Sequence, residues 1–223
     1  MILFKKLTNE QYFNLIIKSG RWKAYSPYDE KVIEQLNDFI SFTGLALDKN
    51  ILEIGSGFGH NTIPLLQKGF KVTCIDCNDK SIDLFKKNLI KFSPPKPESI
   101  IMTDIFQFNP IEKYDVIIGF GLLHHVADSK EKLELLERLF LKLKSMLSCN
   151  GIISFIEPKY TFLYRLYVMA SFSMNWNSEK GALFMKKEIL ESVLKKCGYK
   201  DICFRPGKKL LDQVFIKAKI GVY

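Results

Sequence analysis

From Asn50 to Pro158 the chain alternates short apolar runs with longer amphipathic stretches, and this alternation constrains its fold more than any other feature. The apolar runs are NILEIG, KVTCID, ESIIMTD, YDVIIGF and GIISFIEP. Between them stand HNTIPLLQKG, DKSIDLFKKNLIKF and SKEKLELLERLFLKLKSMLS, where apolar residues recur three and four apart, as on one face of a helix. Pro64 falls in a first turn, where a missing N–H costs little, and Gly69 and the Ser93-Pro94-Pro95 run close helices. Strands alternating with helices at this spacing predict a parallel sheet with right-handed crossovers. The Val and Ile run of YDVIIGF predicts a strand buried on both faces. Further on, KKEILESVLKKCG predicts a helix, and YKDICFRPG and LLDQVFIKAKI follow it too closely spaced for a crossover, so they predict a hairpin. The expected fold is α/β and doubly wound, with a mostly parallel seven-stranded sheet whose C-terminal strand is antiparallel.

The first apolar run ends on Glu53, and Gly55, Gly57 and Gly59 follow at alternate positions. Such a turn lets a ligand approach the backbone closely. It is not the dinucleotide fingerprint G-x-G-x-x-G, because position 60 is His. It is not a phosphate-binding loop either, since no Lys-Ser or Lys-Thr follows at the required distance. Ligands of open α/β sheets bind beyond the C-terminal strand ends, so the residues there describe the ligand. Glu53 suits an amine. Asp76, closing the second strand, suits a pair of ribose hydroxyls. Asp104, followed by Ile105 and Phe106, suits an adenine edge and its ring faces. Amine, ribose and adenine together describe S-adenosylmethionine.

With these residues in hand, the chain resembles the class I S-adenosylmethionine-dependent methyltransferases, of the small-molecule type that carries an LHH tripeptide after the fourth strand. The resemblance rests on EIGSGFG at 53–59, Asp76 closing VTCID, TDIFQF at 103–108, YDVIIGFGLLHHV at 114–126 and LKSMLSCNGIISFIEP at 143–158. It implies that Gly55, Gly57 and Gly59 pass beneath the methionine part of the cofactor and that Glu53 lies near its amino group. It further implies that Asp76 holds the ribose, that Asp104 and Ile105 meet the adenine, and that Phe120 lies near the sulfonium. Arg21 and Tyr25 are expected at the cofactor carboxylate. If the acceptor must lose a proton, the candidate catalytic residues are His124, His125 and Glu157, because imidazole titrates near neutrality. The alternative for the histidines is to cap a helix or hold the loop, and for Glu157 to bond to backbone. His60, opening a helix, is expected to be structural.

At 223 residues, with 47% hydrophobic content, the chain is expected to form one methyltransferase domain. Its parts are an N-terminal helical cap (1–48), a cofactor-binding core (49–158), an apolar lid or insert (159–186) and a C-terminal helix and hairpin (187–223). The cap contains NEQYFNLIIKSG and PYDEKVIEQLNDFISFTGL, the latter opened by Pro27 and Asp29. Within the lid, residues 159–176 carry Tyr160, Phe162, Tyr164, Tyr167, Phe172 and Trp176, which suit the wall of an apolar or aromatic acceptor pocket. The alternatives are a lid packed on the N-terminal helices and a peripheral membrane contact. Lys159 and Arg165 make this a poor transmembrane span, and no transmembrane segment is expected.

The net charge of +9 raises a nucleic-acid partner, but the lysines are spread over helix faces and read as solvated surface. The loop after the fourth strand, Gly119-Phe120-Gly121-Leu122, lacks the Asn/Asp-Pro-Pro-aromatic tetrapeptide of base-amine methylation, and no Pro-Cys pair offers a C5 nucleophile. The expected reaction is in-line methyl transfer to a small acceptor, with oxygen, nitrogen and carbon left open. An RNA methyltransferase or a non-catalytic S-adenosylmethionine-binding module are the alternatives. No secretory signal is recognisable, so a cytoplasmic chain with reduced thiols is expected. Cys74 and Cys77 form a C-x-x-C across a strand end and are read as packing thiols, with no metal site expected.

Overall fold

The structure, a computed structural model, describes residues 26–126, 132–158, 186–207 and 213–221. The first expected helix, with Arg21 and Tyr25, and the aromatic segment 159–176 lie outside the described residues.

Helix α1 (Glu30–Thr43) begins where the Asp29 carboxylate accepts the Lys31 N–H at 2.8 Å. It ends at Gly44, whose left-handed backbone lets its N–H reach the Ile40 carbonyl. The strands are β1 (Ile51–Ile54), β2 (Val72–Asp76), β3 (Ser99–Met102), β4 (Tyr114–Phe120), β5 (Leu147–Pro158), β6 (Tyr199–Pro206) and β7 (Gln213–Ile220). The helices among them are α2 (Thr62–Gln67), α3 (Asp79–Phe92), α4 (Leu123–Val126), α5 (Lys132–Met146) and α6 (Lys187–Lys196).

The sheet order is β3-β2-β1-β4-β5-β7-β6. All pairs are parallel except those of β7, which runs antiparallel to both β5 and β6. The expected mixed seven-stranded sheet is therefore present. The reversed strand is not at the edge, because β7 is inserted between β5 and β6. One boundary differs from the sequence reading: β5 includes Leu147, paired with Tyr114, before an irregular stretch and the main run from Ile152. Asn150 in that stretch has φ +64.

Alternation along the strands divides the side chains between two helical layers. Ile51, Val72, Cys74, Val116, Ile118 and Ile156 face α1, α2 and α3, where they meet Leu36, Phe39, Leu66 and Phe85. Leu52, Ile54, Ile75, Ile117, Ile153 and Phe155 face α5 and α6, where they meet Leu139, Phe140, Leu190 and Leu194. Helix α1 is also tied to the far strands: Arg205 pairs with Asp38 at 3.0 Å, and the Lys217 ammonium donates to the Phe42 carbonyl at 2.9 Å.

The two cysteines of the C-x-x-C part company. Cys74 is buried in the core as expected, but Cys77 is exposed just past the end of β2, which corrects its reading as a packing thiol. Among the described residues no helix is long and apolar enough to cross a membrane. No group of three or more potential metal ligands gathers among them either.

Candidate active site

The sheet order reverses between β1 and β4, so the crevice beyond their C-terminal ends is the place for a ligand. The turn after β1 is fixed to β2, since the Gly55 and Ser56 amides both donate to the Ile75 carbonyl at 2.9 and 3.1 Å. Its three glycines all have positive φ, at +68, +55 and +81. The space left by their missing side chains differs. A Cβ on Gly55 would stand 2.8 Å from Leu122 Cδ1, and one on Gly59 would stand 2.1 Å from two ring carbons of Phe85. A Cβ on Gly57 would meet nothing within 4 Å among the described residues. Among these residues Gly57 therefore leaves its backbone uncovered. Gly59 makes room for a core ring of α3, a packing role beside the one expected of it from the sequence. Gly55 likewise seats Leu122.

Strand alternation places Glu53 under this turn, only 1% exposed, where the Thr62 hydroxyl at the start of α2 donates to it at 2.6 Å. Burial pushes its carboxyl up to about 8, against the pull of the Thr62 bond, and the neighbouring Asp76 charge adds to the rise. The native state thus holds a proton that the unfolded chain releases near 4.5. The stability tied to that proton is complete below pH 4.5 and is lost as pH rises towards 8. The loss between pH 5 and 8 should be on the order of 3 kcal/mol, and Glu53→Gln should abolish most of it. Urea midpoints across that range check this, and equal slopes in the two proteins would show that Glu53 is ionised throughout.

Asp76 closes β2 on the same face. One carboxylate oxygen accepts the Gly57 N–H and the other the Asn78 N–H, both at 2.8 Å. Burial raises its pKa, and the Asn78, Gly57 and Cys77 amides pull it back. Asp104 is exposed, two residues beyond the end of β3, and accepts the Phe106 N–H at 2.8 Å. Its carbonyl takes the Gln107 and Phe108 amides, which folds the loop back. Burial, then the charges of Asp76 and Asp104, raise the Cys77 thiol, so these three side chains share one neighbourhood. Ile105 and Phe106 are half-buried against the core of the α5 layer. Phe120, at the end of β4, packs against Phe39 of α1, ring centroids 5.0 Å apart and planes tilted by 59°.

The loop after β4 turns at Gly121, whose N–H donates to the Ile156 carbonyl at 2.7 Å. Glu157 lies beneath it, 0% exposed. One carboxylate oxygen accepts the Leu122 and Leu123 amides at 2.8 Å. The other meets His124 Nδ1 at 2.8 Å and, more weakly, the His124 amide at 3.4 Å. Glu157 thus bonds to backbone, the alternative that the sequence offered to a catalytic role. His124 is buried too, with the half-buried His125 ring 4.0 Å away, centroid to centroid. His60 packs beside Phe58, and burial holds its imidazole down to about 4, as suits a structural residue.

The model of a methyltransferase-domain family matches residues 28–203, most of the chain. The chain belongs to this methyltransferase family. The chain is 32% identical over 125 residues to a ubiquinone biosynthesis O-methyltransferase of Paramagnetospirillum magneticum, a match that covers 56% of this chain and 45% of that protein. It is 27% identical over 154 residues to the protein of the same name from Rickettsia typhi, with 65% and 57% covered. The chain thus spans about half the length of these curated relatives. Among solved structures, it resembles magnesium protoporphyrin IX methyltransferase from Synechocystis, with a TM-score of 0.64 at 15% identity over 97% of this chain and 90% of that one. The N-methyltransferase NodS from Bradyrhizobium japonicum gives a TM-score of 0.63 at 18% identity, with 91% of each chain covered. At such identities the likeness is one of fold.

The structure thus brings Glu53, Gly57, Asp76 and Asp104 to the C-terminal ends of β1, β2 and β3 and the turns that follow, with Phe120 at the end of β4. Three contributors were not singled out from the sequence. Thr62 bonds Glu53, Leu122 fills the space beside Gly55, and Ser56 buries a hydroxyl that has no hydrogen-bond partner among the described residues. Thr62, at the opening of the helix that follows Glu53, was a recoverable signal. The Leu122 contact is purely tertiary.

Proposed function

We propose that the protein transfers the methyl group of S-adenosylmethionine to a hydroxyl of a small apolar or aromatic molecule. The observation that carries this reading is Gly57, uncovered among the described residues at the switch point and bonded to the Asp76 carboxylate. The residues present fit the cofactor: a bare backbone for its chain, a strand-end carboxylate for a ribose, and Asp104 with Ile105 for an adenine. The O-methyltransferase names of the curated relatives support a hydroxyl acceptor.

When bound, the sulfonium supplies a methyl group and a neutral thioether leaving group. The chain itself holds the two reactants in line and excludes water, which is worth about 7–11 kcal/mol in favourable cases. Asp76 orients the ribose through its second lone pairs while keeping Gly57 in place. Asp104 meets the adenine amine. Phe120 gives the reactive end an apolar wall, backed by Phe39. Glu53 acts from beneath the turn, where a cationic group above it would draw off the proton that burial retains. Arg21 and Tyr25 remain the proposed partners of the cofactor carboxylate, and the aromatics of 159–176 the proposed acceptor wall. A hydroxyl nucleophile loses its proton on methylation, and His125 is the titratable group proposed to take it, directly or through water.

Calorimetric titration with S-adenosylmethionine, S-adenosylhomocysteine and NAD comes first. Micromolar binding of the two sulfur compounds and none of NAD is expected. Labelled methyl groups should then pass to an alkyl-substituted ortho-dihydroxybenzene as a methyl ether. Binding of NAD, or label found on RNA or an amine instead, would overturn the reading.

A further inference from the structure

We propose that Glu157 is a positioning residue of the cofactor site, acting through Leu122 on the glycine turn and through its ring bond on His124. The inference rests on the cofactor reading above.

Its basis is a chain of contacts. Glu157 ends a strand whose neighbours Ile153 and Phe155 are core, so its carboxylate is carried into a place where water cannot solvate it. It survives there because it is met by donors: the amides of Leu122, Leu123 and His124, and the His124 ring. The amides belong to the backbone that enters α4, so the carboxylate fixes the path of the chain as it leaves β4. Leu122 is the link outward. Its N–H is on Glu157, and its side chain occupies the space that Gly55 leaves open, 2.8 Å from where a Cβ would stand. Gly55 begins the turn that presents Gly57. A shift of Leu122 by a few tenths of an ångström is therefore transmitted to the backbone beneath the ligand, because packed interiors have no slack to absorb it.

The second arm is the imidazole. An ionised carboxylate can only accept from His124, so Nδ1 carries a ring hydrogen, and in the neutral imidazole Nε2 is then the acceptor. Glu157 thereby sets the tautomer of His124. Since the His125 ring lies 4.0 Å from that of His124, the same carboxylate sets the pose of the histidine pair.

Glu157→Gln tests this with little change of shape. The glutamine oxygen continues to accept the Leu122 and Leu123 amides, but its NH2 group faces Nδ1–H, so His124 must exchange to the Nε2–H tautomer or swing away. The chain has three histidines, so a long-range nitrogen–proton NMR spectrum at pH 8 resolves the rings, with His124→Asn to assign the peak. The expected result is a tautomer exchange in Glu157→Gln together with an S-adenosylhomocysteine affinity lowered about tenfold, as for one charge-assisted hydrogen bond. Leu122→Ala added to Glu157→Gln should lower affinity by less than its effect in the wild-type background, because both act on Gly55.

Unchanged affinity in a folded Glu157→Gln protein, or full additivity with Leu122→Ala, overturns the proposal. If Glu157→Gln does not fold, amide exchange of the wild type decides. The Gly55, Gly57, Leu122 and Leu123 amides should slow together when S-adenosylhomocysteine is added, and slowing of the glycines alone overturns the proposal. A wild-type protein that fails to bind S-adenosylhomocysteine would instead remove the cofactor reading itself, a result distinct from binding that ignores Glu157.

Discussion

Replacing Gly59 by Ala is expected to destabilise the protein by about 3–5 kcal/mol, the sum of an overpacked core and a left-handed backbone strained by a Cβ. The new methyl carbon would lie 2.1 Å from the Phe85 ring, which no pair of carbons tolerates. Phe85 is 0% exposed and hemmed in by the other members of its layer, so the ring has nowhere to go. Against a total stability of about 5–15 kcal/mol, the loss should appear as a melting temperature lower by roughly 10 °C, or as insoluble protein. Adding Phe85→Leu should restore part of the stability by removing the overlap, leaving the backbone strain of about 1 kcal/mol. A large-to-small core change that stabilises is a demanding outcome. If Gly59→Ala instead melts within a degree or two of the wild type, the packing account of this glycine is wrong.

Asp76→Ala is expected to weaken S-adenosylhomocysteine binding at least about a hundredfold, the loss of two charge-assisted hydrogen bonds to ribose hydroxyls. The structure adds a second cost. Asp76 accepts the Gly57 and Asn78 amides, so its removal also releases the turn that meets the ligand. An analogue lacking the ribose 2′-hydroxyl separates the two effects. The wild type should discriminate strongly between the analogue and the parent compound, and Asp76→Ala should treat them nearly alike. Affinity within threefold of the wild type, or a variant that still discriminates, would remove Asp76 from the ribose.

The strands were legible because β1, β2 and β4 are apolar at nearly every position, the mark of burial between two helical layers, and stop at Gly or Asp. The hairpin of β6 and β7 followed from their short separation. That β7 inserts beside β5 was not legible, since separation along the chain fixes which strands are hairpin partners but not which side of the sheet receives them. Glu53 and Asp76 stood out as carboxylates ending apolar runs. Glu157 carried the same signal, but its surroundings decide its use, and those come from the loop after β4. Gly59 was assigned to the ligand because it shares a spacing with Gly57. Only the position of Phe85, on α3, shows that it also serves packing. Cys77 was grouped with Cys74 by a motif, although the strand ends between them and leaves one in the core and the other exposed.

The placement of β7 has a bearing on how the chain is made. During synthesis β6 emerges before β7, yet its hydrogen-bonding partner in the finished sheet is β7 and not β5. Until β7 has left the ribosome, β5 presents an open parallel-sheet edge and β6 has nothing to pair with. Through that interval the sheet cannot be sealed on its β5 side, and an unpaired edge of this kind is where off-pathway pairing begins.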